Sequence, residues 1–179
     1  MSKLGIDFFQ QPAITLAPAL VGTILVRRVG QKVYRARIVE TEAYVGSHDL
    51  ASHAAKGRTP RTETMFAPGG RTYVYLIYGM HHMLNIVAGT QDDPQAVLLR
   101  GAIPLNDWDA DLSGPGKLAK HLKITRQHNN MKVTQPALYF EDDRSYVPQL
   151  VSTKRIGIDY AKEWKDELLR FIDIRHVKK

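Results

Sequence analysis

Residues 71–87 read RTYVYLIYGMHHMLNIV, and this segment is the strongest indication of the fold. Its first half, Arg71–Tyr78, is almost entirely aromatic and β-branched, which predicts a β-strand. An apolar pattern resumes at His82–Val87 after a break at Gly79. The stretch therefore predicts a β-hairpin with its tip at residues 78–81. An exposed apolar tip is unusual in a protein without a partner, so the hairpin is expected to protrude towards one.

Further elements are predicted on both sides of this hairpin. Apolar, aromatic and β-branched runs predict strands at 22–29, 33–44 and 95–103, the last stopped by Pro104. Proline at a first turn predicts a short helix from Pro115, and apolar spacing predicts a second helix over 160–171. Residues 47–70, dense in glycine and proline, are expected to form a loop. We expect an α+β fold: a single domain over 1–179, with a mainly antiparallel curved sheet, peripheral helices and a protruding hairpin.

Composition narrows the class of protein. The chain has 179 residues, 44% of them hydrophobic, which suits one soluble globular domain. It has no cysteine, which excludes disulfides, thiolate zinc sites and a cysteine nucleophile. There is no signal-peptide pattern and no apolar run near the roughly 20 residues that a membrane span needs, so a soluble cytoplasmic protein is expected. The net charge of +7 suits a phosphate-rich partner, although many small proteins are basic for solubility alone.

The segment IVETEAY, residues 38–44, carries the first candidate chemistry. Strand alternation places Glu40, Glu42 and Tyr44 on one face. A carboxylate beside an aromatic ring could activate water next to a stacked planar substrate. A surface strand with solvated glutamates gives the same pattern, and alternation does not choose between Glu40 and Glu42.

The hairpin and the strand after it hold polar and aromatic candidates with two interpretations each. Tyr73 and Tyr75 share a face and could stack on a base or simply pack in the sheet. Tyr78 at the tip could be a wedge inserted between bases. Asn85 could contact a substrate edge or satisfy a buried hydrogen bond. Arg100 could hold a water molecule or form a structural ion pair.

The histidines are candidate metal ligands, and the basic residues are candidate phosphate contacts. His48, Asp49, His53 and the pair His81–His82 could bind a metal, but their spacing matches no familiar metal motif, so no metal is expected. Several cations could contact a phosphate backbone, namely Lys56, Arg58, Arg61, Lys117 and Lys120. Any one of these charges could equally be solvated surface.

Taken together, these segments resemble the alkyladenine (3-methyladenine) DNA glycosylase family. The similarity covers nearly the whole chain in the family's order, and IVETEAY followed by YVYLIYGM at 73–80, then Asn85, then LLR at 98–100, is a highly specific combination. The resemblance implies a cofactor-free, monofunctional N-glycosylase of base excision repair. Its partner would be double-stranded DNA containing damaged purines, and a monomer is the simplest expectation.

The resemblance also implies roles that the residues alone left open. Glu42 resembles the general base, and Glu40 its non-catalytic neighbour. Arg100 and the backbone carbonyl of Ile156 would position the attacking water. The remaining matches are a base pocket of Tyr44, His53, Tyr75 and Asn85, a minor-groove wedge, Tyr78, and DNA contacts at Thr59, Met65, Met80, His81 and Lys117.

Two departures and two rival functions accompany this interpretation. Two histidines follow Gly79-Met80 where some relatives carry aromatics, and residues 101–113 are shorter than in some relatives. A non-catalytic nucleic-acid-binding module with stacking aromatics would bind without releasing a base. A metal-dependent hydrolase using the loop histidines would lose activity to a chelator.

Overall fold

The fold is organised around one antiparallel sheet. A computed structural model describes residues 1–176. Within that range the sheet has ten strands. They are β1 (Ser2–Lys3), β2 (Ile24–Val29), β3 (Lys32–Tyr44), β4 (Thr72–Ile77), β5 (His81–Ala88), β6 (Gln95–Leu105), β7 (Thr134–Gln135), β8 (Leu138–Asp142), β9 (Leu150–Thr153) and β10 (Arg170–Asp173). The two α-helices of this part of the chain are α1 (Ala13–Leu20) and α2 (Pro115–His121).

The longest strand, β3, is where the sheet divides. The strand order is β1-β8-β2-β3-β6-β5-β4, with β7 added to β8. The first half of β3 pairs with β2, whereas residues 40–42 pair with β10, which in turn pairs with β9. The pairing of β3 with β6 is interrupted by register shifts around Glu40. Such irregularities bend a strand and increase its twist, which produces the expected curvature.

One face of the sheet is covered by α1, and this leaves the other face open for a site. The helix is buried along Leu16, Ala17 and Leu20. Thr41 of β3 points towards it and donates a hydrogen bond from its hydroxyl to the Ala17 carbonyl at 2.8 Å. Alternation along β3 therefore turns Glu40, Glu42 and Tyr44 to the opposite face, as the sequence predicts. Helix α1 itself, a short apolar helix with Pro18 inside it, is not predicted from the sequence.

The predicted hairpin is confirmed. Strands β4 and β5 pair from Thr72↔Ile86 to Ile77↔His81, which leaves Tyr78, Gly79 and Met80 at the tip. Tyr78 and Gly79 have φ of 52° and 67°, the two positive values that a type I′ turn requires. The Tyr78 side chain is 87% exposed. The tip thus holds a large aromatic ring out in solvent.

One predicted element and one predicted boundary are wrong. The helix expected over 160–171 is a 3₁₀ helix, Lys162–Asp166, followed by the strand β10, because Phe171 and Ile172 are buried by pairing with β3. Strand β6 continues through Pro104 to Leu105. Its pairing with β5 ends at Leu98, so the later part of β6 lacks that neighbour, and a proline is tolerated on such an edge.

The predicted loop lies between β3 and β4. Residues 47–70 form a loop whose only regular elements are two short 3₁₀ helices, His53–Lys56 and Glu63–Phe66. The predicted helix from Pro115 is confirmed as α2. None of the helices within residues 1–176 is long and apolar enough to cross a membrane.

Candidate active site

A cleft lies on the face of the sheet opposite α1, and a row of paired residues forms its floor. The register aligns Tyr73 with Asn85, Asn85 with Leu98, Leu98 with Glu42, and Glu42 with Arg170. Paired residues in antiparallel strands project to the same face. Tyr73, Asn85 and Leu98 line the cleft, which has a volume of about 300 Å³. That volume is at the lower end of the range for small-molecule sites.

The carboxylate of Glu42 lies directly beneath this cleft. Its Oε1 accepts a hydrogen bond from the Ile156 backbone N–H at 2.8 Å, and its Oε2 accepts one from the Tyr44 hydroxyl at 2.8 Å. The residue itself has no exposed surface, whereas Tyr44, Arg100 and Ile156 all line the cleft. Glu42 is therefore one layer below the cleft surface, covered by residues that line the cleft.

Burial and hydrogen bonding act in opposite directions on Glu42. Desolvation raises the pKa of its carboxyl above the usual range and is the largest influence. The charge of Arg100, the Ile156 N–H, the Tyr44 hydroxyl and the charge of Arg155 each lower that pKa. The result is a buried acid with a raised pKa and several donors, which is a combination typical of catalytic carboxylates.

Glu40 has a different environment from Glu42. Its Oε1 accepts from Arg100 Nε at 3.0 Å and from Arg170 Nε at 2.7 Å. Arg100 Nε also lies 3.5 Å from Glu42 Oε1, so this guanidinium connects both acids. Glu40 faces Gly101 across the ladder, where a Cβ would lie 3.3 Å from its carboxylate. The missing side chain at Gly101 thus leaves room for the Glu40–Arg100 pair.

Aromatic rings form the walls of the cleft. His53 packs edge-to-face on Tyr75 with ring centroids 4.5 Å apart, and its Nδ1 is hydrogen-bonded to the Tyr73 hydroxyl at 3.0 Å. Burial, aided by the charges of Arg61 and Lys56, lowers the pKa of His53 to about 4. A neutral imidazole and two tyrosines suit a flat, uncharged or cationic ring system.

Asn85 and Met65 complete the inner part of the cleft. Both are nearly fully buried and both line it. The Asn85 side-chain amide donates to the Tyr73 carbonyl at 3.2 Å and more weakly to the Met83 carbonyl at 3.4 Å. These hydrogen bonds to backbone carbonyls fix the orientation of the amide and pair its buried nitrogen. The side chain still borders the cleft. Met65 belongs to the cleft wall rather than to the outer surface.

Sequence reasoning missed a buried ion pair behind Tyr44. Arg155 binds both carboxylate oxygens of Asp49, at 2.6 and 2.9 Å, and both side chains are fully buried. The guanidinium also donates to the Ala43 carbonyl at 2.9 Å and lies 4.8 Å from the centre of the Tyr44 ring. The sequence offers Asp49 only as a possible metal ligand, and no spacing in it connects Asp49 with Arg155.

The remaining candidate residues surround the mouth of the cleft. Tyr78 lines it, Met80 is 68% exposed at the same hairpin tip, and His81 packs close to Gly116 of α2. Lys117 is ion-paired with Asp111 at 2.6 Å on the surface. Thr59 is held in the 47–70 loop by hydrogen bonds with Thr62. Among residues 1–176, no three His, Asp or Glu side chains converge as a metal-binding group.

This geometry defines a class of site: a flat aromatic slot above one buried, hydrogen-bonded carboxylate on a strand-rich α+β domain. The methylpurine-DNA glycosylase family model matches residues 7–176. A protein of Myxococcus xanthus is 45% identical over all of this chain and 95% of its own length. Proteins of Legionella pneumophila (strain Corby) and Clostridium perfringens (strain SM101) are 41% and 40% identical, covering 96% and 94% of this chain and 94% of their own lengths.

All three relatives bear the name "Putative 3-methyladenine DNA glycosylase". The chain belongs to the methylpurine-DNA glycosylase family. It is a DNA glycosylase, a hydrolase of DNA repair, and the similarity inferred from the sequence motifs is confirmed.

Proposed function

We propose that this glycosylase extrudes an alkylated or deaminated purine from duplex DNA and hydrolyses its N-glycosidic bond with an activated water. Candidate bases are 3-methyladenine, 7-methylguanine, ethenoadenine and hypoxanthine. The product is an abasic site. The observation that carries the proposal is the position of Glu42 beneath a cleft walled by Tyr44, Tyr75 and His53. The enzyme works as a monomer, without cofactor or metal, in the cytoplasm and on the nucleoid.

Extrusion is needed because the reacting carbon is inaccessible inside a duplex. Removing a base from the stack costs a few kcal/mol, and least where pairing is already weak. Tyr78 offsets that cost by filling the vacated space from the tip of its hairpin, where it is 87% exposed. Met80, His81, Thr59 and Lys117 contact the surrounding DNA, with Lys117 exchanging Asp111 for a phosphate.

The extruded base lies in the aromatic cleft. Its faces stack on Tyr44 and Tyr75, and its edge meets His53 and Asn85. Because the Asn85 amide nitrogen is already engaged with the Tyr73 carbonyl, the side-chain oxygen is the group left to contact a purine. Asn85 thereby discriminates among purines by their donors.

Glu42 serves the chemical step. The glycosidic bond breaks through an oxocarbenium-like state, so a nearby carboxylate stabilises the developing positive charge and accepts a proton from water. The water enters between Arg100 and Ile156 when the nucleotide displaces part of the covering layer, and the Ile156 carbonyl helps to orient it. The Ile156 N–H holds Glu42 Oε1 during this step.

The test is base release from duplex DNA that carries one damaged purine, in the presence of a chelator. Free base and an alkali-labile abasic site are expected, without strand cleavage by the enzyme itself. A nucleic-acid-binding module would bind the duplex and release nothing. Loss of activity with the chelator would instead support a metal-dependent hydrolase.

A further inference from the structure

The hydroxyl of Tyr44 is hydrogen-bonded to the carboxylate of Glu42, the general base of the proposed reaction. The Tyr44 hydroxyl donates to Glu42 Oε2 at 2.8 Å, and the two residues are next-but-one neighbours on one face of β3. An aromatic wall residue needs only its ring for stacking. Its hydroxyl could have faced solvent in the cleft, so the bond to a buried carboxylate calls for a second role.

We infer that Tyr44 is a positioning residue for Glu42: its hydroxyl holds Oε2 and keeps the carboxylate ionised, while its ring contacts the extruded base. This inference rests on the proposed function. The Ile156 N–H holds Oε1 in the same way, so each oxygen has one fixed donor. One donor on each oxygen restrains the carboxylate, and each oxygen keeps further acceptor capacity for water.

The Tyr44 ring is itself held in place from behind. The Arg155 guanidinium packs over the ring at 4.8 Å and donates to the carbonyl of Ala43, the residue between Glu42 and Tyr44. Arg155 also directly precedes Ile156, whose N–H binds Glu42. The fully buried pair with Asp49 therefore anchors both donors of the catalytic carboxylate. The face of the ring away from Arg155 is left for the base.

The electrostatic surroundings determine the direction of the effect. Glu42 is approached by Arg100 from β6, Arg155 and the Ile156 N–H from the loop after β9, and Tyr75 from β4. Glu40 and Arg170 act on it through Arg100. Burial raises the pKa of Tyr44 well above its usual value, so Tyr44 keeps its proton and acts only as a donor. Without this donor, less opposes the desolvation that raises the pKa of Glu42, so that pKa should rise further.

The test is Tyr44→Phe, which keeps the ring and deletes one oxygen. Base release is measured under single-turnover conditions against pH on a 7-methylguanine duplex, because a purine that is already cationic needs no added proton to leave. A hydrogen bond to a charged group is worth enough to move the acid limb of the profile upward by about 1 pH unit. At pH values below the midpoint of the acid limb, base release by Tyr44→Phe should be about tenfold slower than by wild type.

The control is Tyr34→Phe, which deletes a hydroxyl from the same strand at a residue that packs on Trp108 and does not line the cleft. Its acid limb and rate should match wild type. An unmoved limb in Tyr44→Phe overturns the inference while leaving the proposed function intact. Absence of base release from wild type overturns the proposed function itself.

A second readout does not depend on activity. Carbon-13 NMR of carboxyl-labelled glutamate follows the titration of Glu42 in the DNA-free protein. The midpoint should be higher in Tyr44→Phe than in wild type and unchanged in Tyr34→Phe. Equal midpoints in Tyr44→Phe and wild type would show that the hydroxyl does not act on the carboxylate.

Discussion

Two glutamates two positions apart on β3 illustrate how local surroundings divide chemical roles. Glu40 is held by Arg100 and Arg170 and keeps part of its surface exposed. Glu42 is fully buried and receives one donor on each oxygen. Both guanidiniums on Glu40 give it a structural ion pair, whereas a desolvated carboxyl with a raised pKa, as in Glu42, suits a general base. The geometry thus favours Glu42, a choice that strand alternation left open.

Substitution of Asp49 tests how much the buried Asp49–Arg155 ion pair stabilises the fold. Asp49→Asn leaves the Arg155 guanidinium charged, buried and without its counter-ion, so the free energy of unfolding should fall by about 3–5 kcal/mol. Denaturation in urea measures the change. The matched control is Asp166→Asn, which breaks the exposed pair with Lys154 and should leave the free energy of unfolding almost unchanged. Equal effects of the two substitutions would contradict this view of Asp49.

His53 should titrate near pH 4. Its pKa in the folded protein is about 4, mainly because burial disfavours the imidazolium, against 6.5 for a free imidazole. The unfolded chain therefore binds the proton first, and His53 lowers the free energy of unfolding as the pH falls from 6.5 towards 4. Proton NMR of the His53 ring measures the midpoint, and His53→Asn should remove this part of the pH dependence. A midpoint near 6.5 would contradict the assignment.

This titration also bears on the chemistry of neutral lesions. An imidazole that is neutral near pH 7 is poorly suited to be the general acid for a leaving base. We therefore expect His53 to act through its hydrogen bond with Tyr73 and its edge-to-face packing on Tyr75.

Among the elements, the β4–β5 hairpin combines its turn geometry with the proposed role in DNA binding. Tyr78 has a φ of 52°, a conformation that glycine adopts without strain, and its side chain is exposed. Tyr78→Gly should therefore change the free energy of unfolding by no more than about 1 kcal/mol. Lesion binding and base release should weaken clearly, because nothing then fills the gap in the stack.

The outcome is measured by urea denaturation beside single-turnover base release. Tyr139→Phe, far from the cleft on β8, serves as the control for both assays. A Tyr78→Gly protein that releases base at the wild-type rate would exclude the wedge.

At the scale of the whole molecule, periodicity predicted the elements that carry the cleft. Strand geometry places Glu40, Glu42 and Tyr44 on one face, and it likewise places Tyr73 and Tyr75 on a shared face. Turn chemistry accounts for the hairpin tip. These are local properties, so they can be inferred from residues close together in the chain.

Long-range pairing accounts for what the sequence did not predict. The segment 160–171 has helical spacing, yet Phe171 gains burial against β3 as part of a strand. Arg155 and Asp49 are 106 residues apart, and isolated charges of these types usually lie on the surface. Their partnership depends on how the chain folds back over β3. The short helix α1 has too few turns for its periodicity to be distinguished from that of a buried strand.

The net charge of +7 provides attraction to DNA, but it does not specify a reaction. Under the proposed function, specificity depends on the small volume of the cleft and on Glu42 beneath it. The central claim is therefore that the carboxylate of Glu42 activates the attacking water.

Glu42→Gln tests this claim most directly, measured as single-turnover release of a damaged purine together with binding to the same duplex. The amide keeps the size of the side chain but cannot accept the proton, so release should slow by about 10²–10⁴-fold while binding persists. Glu40→Gln, the same change two residues away, should keep measurable release. Release by Glu42→Gln at the wild-type rate would contradict the account.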